Sequence, residues 1–375
     1  MHDFQVLEPA IDPNNRSSFL LDWEITLKCN LDCSYCNTGL YGGHDNSTKH
    51  PDKNDCESTV DFLFEYVDRY MSHRPRGLRY VVLNVYGGES LHHPDIVHIL
   101  SSVRDRYSRY SERWHLTVTT TTNAIISRNK LTSILPLIDE FTVSYHSENT
   151  PKQKKLFKDN LLAIAAAGKR QKCVVLMHEN PDLFRDSQDM IEWLKSHGIK
   201  LLPRQLDGHY GTGKSQRIYS SQQVKWFGTL YNDLSHRVQI NLPSNPDGTS
   251  MTDVGRACCG GRQVCSDQDY RNRSFFVQNR FPDWYCSVNH FFLYVKQVTG
   301  EIFVNKDCKM DYQGQVGPIG HLSHAQRLLD DLSTQLRDQS LPIIQCKKNN
   351  CKCGLCAPKA KDLETFKHIM EKYHK

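Results

Sequence analysis

The sequence predicts an α/β fold built on a parallel sheet and followed by a smaller, cysteine-rich unit. Two observations carry this. Between residues 23 and 206, short β-like runs alternate with stretches whose apolar residues recur at helical spacing. Such alternation implies parallel strands joined by right-handed helical crossovers. After residue 257 the alternation stops and cysteines become frequent. The pattern alone leaves two closures open, a doubly wound sheet or a barrel.

The elements follow in order. Trp23-Glu24-Ile25-Thr26-Leu27 reads as the first strand. Val60, Leu63, Phe64, Val67 and Met71 then mark a helix, with Ser58 and Asp61 placed as its capping pair. YVVLNVY (80–86) is the second strand, and Ile96, Ile99, Leu100 and Val103 form a helix opened by Pro94. HLTVTTT (115–121) is the third strand, with a short helix over 128–137. FTVSY (141–145) is the fourth, before a helix over 153–167 that Gly168 ends. KCVVLM (172–177), a helix near 187–197 and IKLL (199–202) complete six strand–helix units. Residues 207–256 are rich in Gly, Ser, Asn, Asp and Pro, with one helix expected around 221–235, and read as a bridge or lid. The expected division is an N-terminal arm (1–20), a core (21–206), this bridge, and a C-terminal unit (257–375) closed by a helix.

Composition narrows the class. With 375 residues the chain exceeds one small core, and a net charge of +5 does not by itself imply nucleic acid. No apolar run approaches a membrane span, and no basic-then-apolar leader opens the sequence, so a cytoplasmic protein without membrane contact is expected. Fourteen cysteines are the anomaly. Without a leader they point to metal or cluster ligation rather than disulfides. Only Cys56, Cys173 and one or two late ones read as ordinary thiols.

Cys29, Cys33 and Cys36 stand at the spacing C-x3-C-x2-C, directly after the first strand. Three thiolates on one loop can hold three irons of a cubane and leave the fourth open to a chelating molecule. Zinc sites more often show two separated cysteine pairs. With Tyr35 before the last cysteine, the motif resembles the signature of the radical S-adenosylmethionine (SAM) enzymes. Gly87-Gly88-Glu89 after the second strand adds to the likeness. On its own it is a common strand-ending turn.

The resemblance implies a partial (β/α)6 TIM-type barrel, with its site at the C-terminal ends of the strands. It implies a [4Fe–4S] cluster on Cys29, Cys33 and Cys36, and a SAM amine contact at Glu89 beside Gly87, Gly88 and Tyr35. Asn123, Ser144, His146 and Arg204 close later strands and are the remaining candidate SAM contacts; His146 is also a candidate acid or base. Bland readings compete at several of these positions. The run Thr119–Thr122 suits any half-exposed strand, and Arg204 is equally well an ordinary surface arginine. The fifth-strand glycine pattern of the family is absent in clear form. Gly208–Ser215 matches a P-loop expression, but the residues after it lack an amphipathic stripe, so a flexible loop at the barrel mouth is expected instead.

In the C-terminal unit, Cys286 precedes FFLYV (291–295), a Thr299-Gly300-Glu301 turn, and a strand running toward Cys308. A hairpin there is expected to bring Cys286 and Cys308 together. Cys346, Cys351, Cys353 and Cys356 come later in the chain. With Gly317-Pro-Ile-Gly320, this resembles the SPASM or twitch extension, which implies one or two auxiliary [4Fe–4S] clusters. Cys258, Cys259 and Cys265 are further candidates, and a zinc ribbon is the competing reading of the tail. The expected activity is reductive SAM cleavage and hydrogen abstraction from a peptide, protein or small metabolite, with flavodoxin or ferredoxin as electron donor. An iron–sulfur electron carrier and a zinc-stabilised nucleic-acid binder are the rival readings.

Overall fold

In a computed structural model of the chain, the described residues are 6–7, 18–36, 45–73, 80–206, 219–223, 225–227, 229, 282–306, 308, 311–312, 315–347 and 359–374. Strand β1 (Val6–Leu7) precedes β2 (Ser18–Thr26). Then come α1 (Lys53–Ser72), β3 (Tyr80–Gly87), α2 (Ile96–Tyr107), β4 (His115–Thr122) and α3 (Arg128–Ile134). After them come β5 (Glu140–His146), α4 (Pro151–Ala166), β6 (Arg170–Met177), α5 (Pro181–Ser196) and β7 (Leu201–Gln205). Every neighbouring pair from β2 to β7 is parallel. The six predicted strands and the five helices between them are therefore present, in the order of a partial TIM-type barrel.

Local chemistry sets the boundaries. Helix α1 starts before the expected Ser58 cap: Asp52 accepts from the Asn54 amide at 2.8 Å, and Ser58 lies inside the helix, donating to Asn54 O. The apolar stripe begins earlier than its aliphatic residues show, because Cys56 and Thr59 belong to it. Helix α4 opens with a capping box between Thr150 and Gln153. Gly168 closes it at φ +68°, where a left-handed residue ends a helix most cheaply.

The C-terminal elements do not form a separate sheet throughout. They are β8 (Tyr285–Cys286), β9 (Phe292–Lys296), β10 (Glu301–Phe303), β11 (Gly320–His321), α6 (Ala325–Arg337), β12 (Ile344–Gln345), β13 (Lys359–Ala360) and α7 (Leu363–His374). The predicted hairpin is β9–β10, turning at Gly300 with φ +73°. Strand β9 also pairs in parallel with β2, from Leu20↔Phe292 to Glu24↔Lys296, so the hairpin and β11 extend the barrel sheet to nine strands. Cys286 lies outside the hairpin, in a small sheet of order β1-β13-β8-β12. Both ends of the chain meet there, because β1 pairs with β13.

The two faces of the large sheet differ. On one, Leu21, Trp23, Ile25, Val81, Leu83, Val85, Phe141 and Val143 join the apolar stripes of the helices in one core. The alternate residues form the inner face, where Asp22, Glu24, Asn84, Thr119, Thr121, Thr142, Ser144 and Lys172 stand among apolar ones such as Val82, Tyr86, Val174 and Leu176. Parallel sheets usually bury hydrophobic residues on both faces, and closed barrels fill their interior with branched side chains. This inner face mixes polar and apolar side chains, with Tyr86, Tyr294 and Phe303 packed together at one side.

Candidate active site

The cysteine loop leaves the C-terminal end of β2, and the backbone of the β3 exit packs directly beneath it. Gly88 N donates to Thr26 O at 2.8 Å, and Glu89 N donates to Lys28 O at 2.8 Å. A Cβ on Gly87 would lie 2.0 Å from Thr26 O, and one on Gly88 2.4 Å from Lys28 O. The two glycines are thus required by the close approach of the backbone of Thr26, Leu27 and Lys28.

Glu89 is buried, and its carboxylate is already well used. One oxygen accepts from the Leu91 amide (3.0 Å) and the Thr122 hydroxyl (2.7 Å); the other accepts from the Asn123 amide at 2.6 Å. Burial raises its pKa to about 6, against the lowering effect of these donors and of Lys130. Glu89 thereby ties β3 to the end of β4. From there Asn123 Nδ2 donates to Asn30 Oδ1 at 2.7 Å and lies 3.8 Å from Cys29 Sγ, and Asn30 Nδ2 donates to Ile125 O at 2.7 Å. Buried Asn160 of α4 donates to Ala124 O and Ile126 O, holding the turn in which Ala124 takes φ +56°.

The other half of the loop is held by β5. His146 Nδ1 lies 2.6 Å from the Tyr35 hydroxyl and 3.4 Å from Cys33 Sγ, and the Tyr35 and His146 rings stack with centroids 6.0 Å apart. Ser34 donates to Glu148 through its amide, at 2.8 Å, and through its hydroxyl. Glu148 stands 3.7 Å from His178 Nε2 at the end of β6. Burial lowers His146 to about 4, so the ring is neutral at pH 7, while burial raises Tyr35 and keeps it a phenol.

Cys29, Cys33 and Cys36 are half-buried; burial pushes Cys29 and Cys33 up to about 12, with a smaller contribution from Cys36 to both and from Cys29 to Cys33. A bound metal would lower them, since a cation stabilises thiolate. Among the described residues, no three His, Cys, Asp or Glu side chains surround a single metal ion.

The remaining candidates are more dispersed. Ser144 lies on the inner face two residues before His146, and Arg204 is exposed on β7 opposite Leu176. Cys286, Cys308 and Cys346 are buried. The pairing of β8 with β12 brings the segments of Cys286 and Cys346 side by side, with Cys346 N donating to Trp284 O at 2.8 Å. Cys258, Cys259, Cys265, Cys351, Cys353, Cys356 and the Gly208–Ser215 segment lie outside the described residues. Sequence reasoning missed Glu148, Asn30 and Asn160. Only Asn160 carried a signal, as a polar residue in the apolar stripe Phe157, Leu161 and Ile164.

No sequence-family profile and no curated protein sequence matches the chain. Solved structures do. Histidine-tagged anSMEcpe with bound AdoMet is 12% identical, covers 96% of this chain and 96% of its own, and superposes with a TM-score of 0.52. Native anSMEcpe with bound AdoMet is also 12% identical, over 85% of this chain and 82% of its own, with a TM-score of 0.50. The chain shares the fold of these structures. Within it, the cysteine loop of this chain stands at the C-terminal end of the first strand of the parallel series, the end at which parallel barrels carry their sites. Among the described residues, no helix is long and apolar enough to cross a membrane.

Proposed function

We propose that the chain is a radical-SAM enzyme whose [4Fe–4S] cluster is held by Cys29, Cys33 and Cys36. The position of the three thiols carries the reading: one loop at the mouth of a parallel sheet, braced from β3, β4 and β5. When bound, the cluster supplies the electron that cleaves SAM and so provides a 5′-deoxyadenosyl radical for hydrogen abstraction.

The chain's own residues do the positioning. Asn30 and Asn123 fix the turn at Cys29, and Tyr35 with His146 fixes Cys33. A carboxylate has about four acceptor positions, and three on Glu89 are filled by the chain. The fourth takes one N–H of the SAM ammonium. Ser144 and Arg204 contact SAM from the later strands. His146 holds its phenol contact on Nδ1 and exchanges any proton at Nε2. The substrate, a peptide, protein or small metabolite, lies against the inner face. Cys286, Cys308 and Cys346, with Cys351, Cys353 and Cys356, hold one or two auxiliary [4Fe–4S] clusters, and flavodoxin or ferredoxin supplies electrons.

Anaerobic reconstitution tests this. The full chain with SAM and dithionite should form 5′-deoxyadenosine. Changing Cys29, Cys33 and Cys36 together to Ala should abolish that product while leaving roughly four irons or more per chain, the content of one cubane. Undiminished product in the triple variant overturns the cluster assignment, and a colourless triple variant carrying one zinc removes the auxiliary cluster.

A further inference from the structure

The inner face carries two cations that the cysteine-loop site does not use. Lys172 sits on β6 in register with Thr142 of β5, which is itself in register with Thr121 of β4. Tyr86 of β3 follows Val85, the partner of Thr120, and so continues the same row. Lys306 comes from the other edge of the sheet, just after β10. Its Nζ lies 5.2 Å from the centre of the Tyr86 ring and 3.8 Å from Asp22 Oδ2. The row therefore reads Lys306 over Tyr86, then Thr121, Thr142 and Lys172. Among the described residues Lys172 has no hydrogen bond or ion pair. It is half-buried; burial is the main cause that lowers its pKa, the positive charges of Lys200 and Lys306 add to this, and Glu140 opposes them. Lys306 already has Asp22 beside it, whereas Lys172 has no carboxylate within hydrogen-bond reach among the described residues, so a second anion placed between them would lessen the repulsion that Lys172 feels from Lys306.

We infer that Lys172 and Lys306 hold an anionic oxygen group, a carboxylate or a phosphate, of the molecule that occupies the inner face, with the Thr121 and Thr142 hydroxyls donating to the same group. The inference rests on the proposed activity only in treating that molecule as the substrate.

Pyridoxal 5′-phosphate is a suitable probe. Its aldehyde condenses with a neutral amine, water leaves, and borohydride reduces the imine to a stable secondary amine that peptide mass spectrometry locates. Its phosphate tests anion recognition, and pyridoxal, which lacks the phosphate, is the control. In the reconstituted full chain, Lys172 should be labelled by pyridoxal 5′-phosphate at least roughly tenfold faster than by pyridoxal, the factor expected of a charge-assisted contact. Lys306→Met should bring the two rates together. Competition in the unaltered chain needs no variant. Protection of Lys172 by inorganic phosphate but not succinate assigns a phosphoester, the reverse assigns a carboxylate, and protection by both supports the shared anion chemistry. Equal labelling by the two aldehydes, with no protection by either anion, overturns the inference. None of these readouts requires SAM cleavage, so failure here is separable from failure of the proposed activity.

Discussion

Replacing Glu89 by alanine removes an acceptor from three donors at once: the Leu91 and Asn123 amides and the Thr122 hydroxyl. Buried donors left unpaired cost about 1–3 kcal/mol each where no water replaces the acceptor. Glu89→Ala should therefore lower stability by about 3 kcal/mol or more in urea denaturation, and a loss below about 1 kcal/mol would show that the donors find other partners. Glu89→Gln keeps the shape but not the charge, and reconstituted enzyme carrying it should bind SAM at least about tenfold more weakly. Titration in the metal-free chain gives a second measurement. His50 and His146 both fall from 6.5 to about 4, chiefly through burial. A lowered folded-state pKa contributes stability that is present above pH 6.5 and lost as pH falls through 4. Glu89 acts oppositely: raised from 4.5 to about 6, it contributes stability below pH 4.5 that is lost as pH rises through 6. Two histidines outweigh one carboxyl, so stability should fall between pH 6.5 and 4. The fall should be steeper in Glu89→Gln and shallower in His146→Asn; a flat profile in the unaltered chain contradicts this.

At the scale of elements, the β3 exit and the cysteine loop behave as one unit because their backbones touch. Adding a Cβ at Gly88 places it 2.4 Å from Lys28 O and 2.5 Å from Leu27 O. Backbone atoms cannot swing aside as a side-chain tip can, so the loop itself must move. Gly88→Ala should leave the far-ultraviolet circular dichroism unchanged and lower bound iron by roughly four per chain. Gly168→Ala is the matched control. Its Cβ meets nothing within 4 Å, but φ is +68°, so it should cost about 1 kcal/mol of stability with iron unchanged. Full iron in Gly88→Ala would mean that the loop does not depend on this contact.

At the scale of the molecule, the C-terminal hairpin completes the edge of the barrel sheet. Strand β9 pairs with β2, Trp23 Nε1 donates to Gln297 Oε1 at 2.9 Å, and the Tyr70 hydroxyl donates to His290 O at 2.6 Å. Helix α6 lies against α1, with Arg69 reaching Asp330 and Ser333. Truncation after residue 281 would expose the β2 edge and the apolar residues beneath α6. The fragment 1–281 is expected to be insoluble or to lose its cooperative thermal transition. A soluble fragment that unfolds cooperatively would show that the barrel closes without its extension.

The sequence by itself determined the six parallel strands with the helices between them and the cysteine loop at the end of the first strand, because helical and strand periodicities and C-x3-C-x2-C spacing are local properties of the chain. It also marked Gly300 as a turn and Gly168 as a helix end, for the same reason. Tertiary structure alone decided that β9 pairs with β2, that Gly87 and Gly88 lie against Thr26 and Lys28, and that Glu148 reaches Ser34. It also decided that Lys172 and Lys306 share one face. Ser34 and Glu148 are 114 positions apart in the chain, and Trp23 and Gln297 are 274 apart. The place of Lys172 in its row depends on register across several strands. Periodicity states which side of its own strand a residue occupies, but not which residue from another strand stands beside it.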